Sequence, residues 1–529
     1  MTDGQSRLRW VLTACCVVAF AKLVDPQAWM MDLNIPDSAF GSAWAGYRAF
    51  AAVNTLFLVG FLLLGGVLGD RLGRRRVLLI GAGVATLANV LALFATGPVW
   101  YIVTRALEGF SSALALPMTL AVIRLNFHEA ARPRALLVYT FVTLAAALVS
   151  LIALVLAESF GWRATLVLPI LAGALGTFLA WRYVPESRAE GVVGRRRAVT
   201  ATAWSLVLLA LTIGVLALQQ YGTWRNPVTV VAVPLGVLGA VAVNWSSRLK
   251  PAAPPPRLTW RQRHTLTVML LAAVALSLGL SGYLLQCYSF FTVVQGYGVI
   301  LGGVALAPVL LVCVPLARPA ARLSISTAPR RLIAGGLASM GLAMAMTALV
   351  RPDMPYWPLV LPMALFGFGF LLAQTAWNNA FLSALPANHI GVSAGVSKAA
   401  AQAGTLLGTA LLGSLVVEYG QADFVRQLSS LGLSSAQIDS ATAAVNVSLR
   451  ASLPFGNPAD GVAVPLSVLD ATLLDLYYQS YTVGLAVALL WAATVCIGIA
   501  VLAWLVLRPM SASPEAANLQ SDPIPLTGV

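Results

Sequence analysis

Two short stretches place charged side chains inside apolar runs, where ionisable groups can do chemistry. In FAKLVDPQAW, Lys22 and Asp25 lie three positions apart and share one face of a helix. In YIVTRALEG, Arg105 and Glu108 have the same spacing. Charges in such a setting are costly unless they pair or face a water-filled path. These four residues are therefore candidates for proton transfer or for binding a charged substrate, and fixed structural ion pairs remain the alternative.

Composition identifies the setting in which these charges must lie. Of the 529 residues, 59% are hydrophobic and 10% are charged, whereas a soluble domain carries roughly 25% charged residues. This balance predicts an all-α integral membrane protein. The five cysteines fall in apolar segments and are expected to be small hydrophobic residues, neither disulfides nor metal ligands. No cleavable signal sequence is expected, because MTDGQSRLR leads straight into an apolar segment with no A-x-A-like site.

Fourteen apolar segments are long enough to cross a membrane, which needs about 20 residues each. The predicted spans lie near 10–31, 47–69, 77–96, 98–123, 135–157, 163–184, 200–220, 227–246, 265–294, 299–321, 331–350, 356–381, 392–418 and 478–508.

Charge distribution orients these spans. Of the 33 Lys and Arg residues, 24 fall on the side of the N-terminus, six on the other side and three inside spans. Basic residues concentrate in cytoplasmic loops, so both termini are expected in the cytoplasm of a cell inner (plasma) membrane. The basic excess therefore reflects topology and predicts no nucleic-acid partner.

The segments divide into six, two and six. The predicted organisation is a six-helix bundle over 1–184, linkers with two extra helices over 185–264, and a second six-helix bundle over 265–508. A long outer loop is expected over 419–476, in which QADFVRQLSSLGL is a candidate short amphipathic helix. The polar tail 509–529 is predicted to be disordered.

The loop after the second span reads GGVLGDRLGRRR and combines spaced glycines with one acid and several arginines. Its residues are Gly66, Gly69, Asp70, Arg71, Gly73, Arg74 and Arg75. Glycines permit tight turning and close helix approach. The stretch resembles motif A of the major facilitator superfamily, and the six-two-six pattern resembles its 14-helix drug:proton antiporter branch. The resemblance implies a major facilitator fold of two six-helix bundles with two extra central helices.

In that family motif A connects the two halves on the cytoplasmic side. The resemblance implies that Asp70 pairs with a nearby arginine and faces the N-terminus of a helix in the second half. A carboxylate at a helix N-terminus gains roughly 0.3–1 kcal/mol. The motif would therefore gate the transport cycle.

Further motifs match in part. Arg105 and Gly109 match motif B, R-x-x-Q-G, with Glu108 in place of the usual glutamine. Asp25 approximates an acid on the first helix of the branch, and Pro26 follows it. Lys22 lies about 18 Å along the helix from Trp10 at about 1.5 Å per residue, too deep to reach the inner face easily. The pair is either functional or a fixed ion pair.

The second half supplies the predicted lining of a central cavity. FGFGFLLAQTAWNNAF contributes Gln374, Trp377 and Asn378, with Trp377 either stacking on a ligand or simply packing. HIGVSAGVSKAAAQAG resembles a late helix of the branch and contributes Lys398 and Gln402 on one face.

Motif C, which bends the fifth helix and is associated with antiport, is missing here. The fifth predicted span reads LLVYTFVTLAAALVSLIALVLAESFG and has neither proline nor glycine before its last residue. Another direction of coupling, or a lipid ligand, therefore stays open.

These patterns predict a secondary active transporter, not an enzyme, that exports small amphipathic compounds or drugs in exchange for protons. The alternatives are a lipid or glycolipid flippase on the same fold and a non-transporting membrane scaffold or sensor. No phosphate loop, catalytic constellation or metal cluster is found, so no cofactor or metal is expected. The expected partners are substrate, protons and membrane lipids, for a monomer, with a periplasmic adaptor left open.

Overall fold

The fold is all-helical in every part that the computed structural model describes. The described residues are 3–24, 53–127, 131–188, 195–221, 260–383, 390–431 and 471–507, with scattered positions in 234–245 and 435–442. Asp25 and the predicted outer loop beyond 442 lie outside these ranges, as does most of the predicted span 227–246.

Within the described residues, six α-helices form the first half. They are α1 (Asp3–Leu23), α2 (Val53–Leu72), α3 (Arg74–Leu93), α4 (Pro98–Asn126), α5 (Arg132–Phe160) and α6 (Val167–Tyr183), the last preceded by a 3-10 turn, Trp162–Leu166. Helix α5 runs through 29 residues without a break, which follows from the absence of proline and glycine in its interior.

The remaining helices belong to the linker and the second half. They are α7 (Arg195–Tyr221), α8 (Trp260–Ser289) with a π turn Phe290–Val294, α9 (Val299–Val304), α10 (Ala307–Leu311), α11 (Cys313–Ser326), α12 (Pro329–Thr347), α13 (Trp357–Ser383), α14 (Ile390–Ser430) and α15 (Ala471–Val506). Helix α7 corresponds to the first of the two predicted extra spans.

Two predicted boundaries were wrong. The single helix expected over 299–321 is divided into α9, α10 and α11, because prolines such as Pro308 remove backbone donors from the helical ladder. The short separate helix expected in the outer loop is instead a continuation of α14, which reaches Ser430. With 41 residues, α14 is about 60 Å long, twice the roughly 30 Å of a hydrocarbon core.

The extension of α14 is fixed to α15 by a buried carboxylate. Asp423 accepts hydrogen bonds from Gln427 at 2.7 Å and from Ser480 of α15 at 3.1 Å. It also pairs with Arg426. Phe424 packs edge-on against Tyr477, also of α15, with ring centroids 6.3 Å apart. These contacts explain why the polar QADFVRQ sequence stays helical past the predicted end of the span at 418.

Each half has its own apolar core. In the first half Val18, Leu78, Leu120 and Leu136 are at most 1% exposed. In the second half the larger core joins α8, α12, α13, α14 and α15. All five cysteines are buried in these interiors and are free, as expected. Eight helices of the described residues are long and apolar enough to span a membrane.

The halves meet along two seams. On one seam α14 packs on α2 and α4; on the other, α5 packs on α9, α11 and α13. Helix α7 lies across the first seam, since it contacts both α2 and α14. Its Leu208 packs beside Leu62 of α2 and Ala399 of α14. The extra helix therefore covers the place where the two halves join.

Glycines allow the helices of one half to approach closely. A Cβ on Gly336 of α12 would clash with the backbone oxygen of Gly369 on α13 and lie 2.6 Å from the Cβ of Ala373. Its neighbour Gly335 is exposed, and a Cβ there would meet nothing within 4 Å. Small residues at such crossings are how membrane helices gain packing contacts.

These two glycines provide a matched test of the packing. Gly336→Ala is expected to lower the unfolding free energy by about 1–3 kcal/mol because it overpacks the α12–α13 crossing. Gly335→Ala should be neutral or slightly stabilising, since alanine favours helix more than glycine does. Thermal unfolding of both purified variants in detergent measures the difference. Equal melting temperatures would contradict the described crossing.

Candidate functional site

Glu108 is the centre of a buried polar cluster between three helices of the first half. Its Oε1 lies 3.8 Å from the Nζ of Lys22 on α1, and the two side chains are 3% and 2% exposed. Asn54 of α2 donates a hydrogen bond to Oε2, and Ser112, one turn along α4, donates to Oε1 at 3.0 Å. The carboxylate thus connects α1, α2 and α4.

Close backbone packing positions this cluster. A Cβ on Gly109, the residue after Glu108, would clash with the backbone oxygen of Asn54. The glycine of the partial motif B therefore lets α2 approach α4 at the level of the carboxylate, and this brings the Asn54 amide within reach of Glu108.

Arg105 lies one turn before Glu108 and is 1% exposed. Its Nη2 donates to Oδ1 of Asn89 on α3 at 2.6 Å. Its guanidinium also lies 5.7 Å from the ring centroid of Tyr101, and Tyr101 packs edge-on against Trp162 at 5.6 Å. An amide oxygen and an aromatic face are the described neighbours that stabilise this buried cation.

The structure shows a pair between helices in addition to the pairs considered from spacing alone. The spacing paired Lys22 with Asp25 and Arg105 with Glu108, each within one helix. The structure pairs Lys22 with Glu108 across two helices and places Arg105 against Asn89. Asp25 lies outside the described residues.

A second charged cluster lies where α2 meets α3, which we call the basic end because it carries Arg71, Arg74, Arg75 and Arg76. The expected pairing is present here. Arg74 Nη2 lies 2.9 Å from Oδ1 of Asp70, and both side chains are 2% exposed. Arg71 is exposed and Arg75 is partly buried.

Glu186, in the segment after α6, holds this loop in place. It accepts a hydrogen bond from the backbone N–H of Arg75 at 3.3 Å and lies 3.6 Å from Nε of Arg76. Gly73 has φ +111°, and a Cβ there would lie 2.5 Å from Oε1 of Glu186. The loop therefore requires glycine at this position for its backbone and for its contact with Glu186.

Helix α14 also approaches α2 closely near the basic end. A Cβ on Gly395 of α14 would lie 2.9 Å from the backbone oxygen of Leu62 and 3.6 Å from Cα of Gly66 on α2. Gly66 lies one turn before Asp70, and Gly395 lies in the second turn of α14. Helix α14 thus approaches α2 one turn before Asp70, the residue that the motif predicts to face a helix N-terminus of the second half.

The cavity candidates of the second half take different positions. Trp377 is 2% exposed, donates from Nε1 to the backbone oxygen of Met269 at 2.6 Å and stacks on Phe381 at 5.0 Å. This geometry favours packing over ligand stacking. Asn378 is buried, whereas Gln374 and Gln402 are partly exposed.

Lys398 reaches across the interior. It lies on α14, is partly exposed, and its Nζ is 5.4 Å from the ring centroid of Tyr139 on α5. Tyr139 is 2% exposed, and its hydroxyl lies 3.0 Å from that of Thr119. A side chain of the second half thus contacts the first half inside the bundle.

Several of these partners were missed by reasoning from the sequence. Asn54 and Asn89 are single amides in apolar runs, AVNTLF and LANVLA, and this is the signal that could have identified them. Glu186 follows α6 in VPESR, which was interpreted only as a polar linker. Its contact with Gly73 is distant in sequence.

Two helical halves, two seams and buried ionisable groups on the interior helices define a multi-pass membrane transporter. The sequence model of the Major Facilitator Superfamily matches residues 11–409. The chain belongs to this superfamily, whose members are transporters and not enzymes.

Relatives with assigned roles are concerned with drug resistance. The chain is 28% identical to the multidrug efflux pump LfrA of Mycolicibacterium smegmatis over 69% of this chain and 72% of that protein. It is 33% identical to the puromycin resistance protein pur8 of Streptomyces alboniger over 68% and 72% of the two chains. It is 29% identical to the methyl viologen resistance protein SmvA of Salmonella typhimurium over 82% of this chain and 86% of that protein. These relatives agree with the drug-efflux branch that the motifs resemble.

Solved structures show the same fold. The proton:xylose symporter XylE aligns with a TM-score of 0.56 at 12% identity, over 93% of this chain and 95% of that one. The peptide transporter PepTSo aligns with a TM-score of 0.55 at 14% identity, over 98% of this chain and 99% of that one. At these identities the likeness supports the architecture alone.

A double substitution tests the pair at Glu108. Lys22→Met or Glu108→Gln alone removes one partner of a buried ion pair and is expected to cost about 3–5 kcal/mol of unfolding free energy. The double variant should recover most of that loss, because neither charge then remains. Unfolding in detergent measures this coupling. Additive losses in the double variant would show that the two side chains do not interact.

The basic end is tested by Asp70→Asn. Asp70→Asn removes a carboxylate near the first turn of α14, worth about 0.3–1 kcal/mol, and leaves the buried Arg74 guanidinium without its partner, so the population with separated basic ends should rise at least about two- to fivefold. Spin labels at Leu125→Cys and Leu323→Cys, both on exposed sites, report the distance by pulsed electron resonance. Arg76→Gln is the control, since Arg76 is 64% exposed and its pair contributes little. An unchanged distance distribution in Asp70→Asn contradicts this gating role.

Proposed function

We propose that this protein exports small amphipathic compounds in exchange for protons by alternating access between its two halves. The observation that carries the proposal is the buried carboxylate of Glu108, held by Lys22, Asn54 and Ser112 where three helices meet. Drug-resistance relatives support the substrate class. An ion gradient can supply the energy, since one proton crossing 100 mV provides about 2.3 kcal/mol.

Protonation of Glu108 would change the contacts between helices. As a carboxylate it accepts from Asn54 and Ser112 and pairs with Lys22. A neutral carboxylic acid no longer attracts the Lys22 ammonium and accepts fewer hydrogen bonds. Proton binding would therefore loosen α1 and α2 from α4. Asp25, three residues after Lys22, is proposed to act in the same path, and Arg105 to keep the local potential positive.

The basic end would act as the gate. We propose that the Asp70–Arg74 pair and the packing of Gly395 on Leu62 belong to a state in which the halves are closed at this end. The cycle requires α2 and α14 to separate there and to close again. Two discrete packings of one interface are the usual basis of such a switch.

The lipid-flippase hypothesis requires a lateral, apolar opening between the halves. At the α2–α14 seam, α7 lies over the junction and packs Leu208 beside Leu62 and Ala399. A lipid would have to displace this helix to enter from that side. The contact favours a substrate that enters from the aqueous side or the membrane interface.

The remaining assignments follow from the sequence. We propose residues 1–184 and 265–508 as the two transport bundles, 185–264 as the connecting unit with two helices, and 509–529 as a tail. From the basic loops we propose that both termini lie in the cytoplasm of the cell inner membrane, for a monomer that works without a cofactor.

Transport in liposomes tests the proposal. Purified protein is reconstituted with an internal pH dye, a proton gradient is imposed, and amphipathic cations and acids are added in turn. Wild type is expected to show substrate-dependent proton flux, and Glu108→Gln and Asp25→Asn are expected to abolish it by removing the proton site. Asp423→Asn, a buried carboxylate in the α14 extension, is the matched control and should retain flux.

Each alternative has its own outcome. No flux with any compound in wild type overturns proton-coupled export, and labelled lipids then test the flippase. Full flux in folded Glu108→Gln shows that the Lys22–Glu108 pair is structural. If folded wild-type protein shows neither proton flux nor lipid transport in these assays, the result supports a scaffold or sensor.

A further inference from the structure

Lys398 is a cation on an interior helix that the proposed proton-coupled mechanism does not use. It lies on α14, eight residues after the helix begins, and so about 12 Å from that end at about 1.5 Å per residue. Its side chain is partly exposed in the protein, and its Nζ lies over the face of Tyr139.

The direction of this side chain places its ammonium between the halves. Helix α14 packs on α2 and α4 at the first seam, whereas α5, which carries Tyr139, packs on α9, α11 and α13 at the second. A side chain that starts on α14 and ends over α5 must cross the space between the seams. Its partial exposure is therefore toward the interior path and not toward lipid.

An aromatic face satisfies this ammonium incompletely. Within the described ranges, the polar or aromatic contact that the Lys398 ammonium makes is with the ring of Tyr139. An ammonium has three hydrogen-bond donors, and a cation–π contact offers an acceptor to none of them in the way an oxygen does. The hydroxyl of Tyr139 is engaged with Thr119 at 3.0 Å, which fixes the ring beneath the ammonium.

The charge balance of the described interior also indicates that the Lys398 ammonium lacks an acidic partner there. The three basic residues inside the predicted spans are Lys22, Arg105 and Lys398, and the buried carboxylate among them is Glu108. Lys22 pairs with Glu108, and Arg105 donates to the neutral amide of Asn89. Lys398 is thus the cation of this set that lies on the interior path and has no described acidic or amide contact.

Lys398 also lies nearer the basic end than the proton site does. Glu108 is 18 residues before the last residue of α4, about 27 Å from that end, against about 12 Å for Lys398. A molecule that enters from the basic end would meet Lys398 first and the Lys22–Glu108 pair second.

We propose that Lys398, with Tyr139 beneath it, binds the anionic group of an amphipathic substrate, a carboxylate or a phosphate. The ammonium would donate to its oxygens, and the apolar part of the molecule would lie along the aromatic ring. This rests on the proposed transport function and narrows its substrates to acids and zwitterions.

Binding of two matched dyes to the purified full chain tests the site. Rhodamine B carries a free carboxylate, and its ethyl ester differs only in lacking that charge. Because a hydrogen bond to a charged group stabilises by about 1.5–3 kcal/mol, wild type should bind rhodamine B about tenfold or more tightly than the ester. Fluorescence anisotropy in detergent measures both affinities.

Variants assign the preference to the residue. Lys398→Gln should bind both dyes equally, Lys398→Arg should keep the preference, and Ser414→Ala, on an exposed face of the same helix, should behave as wild type. Equal binding of the two dyes to wild type, binding of neither dye, or an unchanged preference in Lys398→Gln overturns the proposal. Displacement of rhodamine B by dioctanoyl phosphatidic acid would identify a lipid headgroup as the anion, and its failure would identify a free organic acid.

Lysine labelling gives a second measurement that needs no variant. The chain has three lysines, Lys22, Lys250 and Lys398, so isotope-coded acetylation reads each by mass spectrometry. Rhodamine B should protect Lys398 severalfold, its ester should not, and Lys250 serves as the internal control. Equal acetylation with and without rhodamine B also overturns the proposal. Binding is measured without a proton gradient, so its failure is distinct from a failure of coupled transport.

Discussion

The cost of a charge in an apolar interior is the constraint on which this structure depends. Water cannot solvate Glu108, Arg105 or Lys22 where they lie, so each must find partners within the protein. Several of these partners come from neighbouring helices. Lys22 of α1 and Asn54 of α2 converge on the carboxylate of α4. The same requirement that places these helices around Glu108 makes their arrangement sensitive to its charge.

Close backbone approach is what makes these contacts geometrically available. Gly109 lets α2 approach at the level of Glu108, and Gly395 lets α14 approach α2 one turn from Asp70. A larger side chain at either position would separate the helices and withdraw the polar partner. Small residues thus serve both the packing of the halves and the electrostatics of the sites. The proposed coupling site and the proposed gate share one helix, α2, which carries Asn54 near its start and Asp70 near its end.

Much of the architecture could be predicted from local patterns. Within the described residues most apolar segments of spanning length form helices, and motif A identified the superfamily and predicted a pair between Asp70 and a nearby arginine, which the structure shows to be Arg74. The errors have local causes as well. Prolines divided the span near Pro308, and a tertiary contact to Ser480 kept the polar residues after 418 helical. Periodicity cannot anticipate the second kind, because the stabilising partner is 57 residues away.

By itself, the sequence determined that this chain is a multi-pass helical membrane protein of the major facilitator superfamily, because hydrophobic length, basic loops and a contiguous motif are properties of neighbouring residues. Tertiary structure alone decided which charges meet. It joined Lys22 to Glu108, Arg105 to Asn89 and Glu186 to the motif loop, and placed Lys398 over Tyr139. The physical reason is that a buried charge is stabilised by whatever donor or acceptor the packing of helices brings within about 3–4 Å, and that packing depends on the whole bundle.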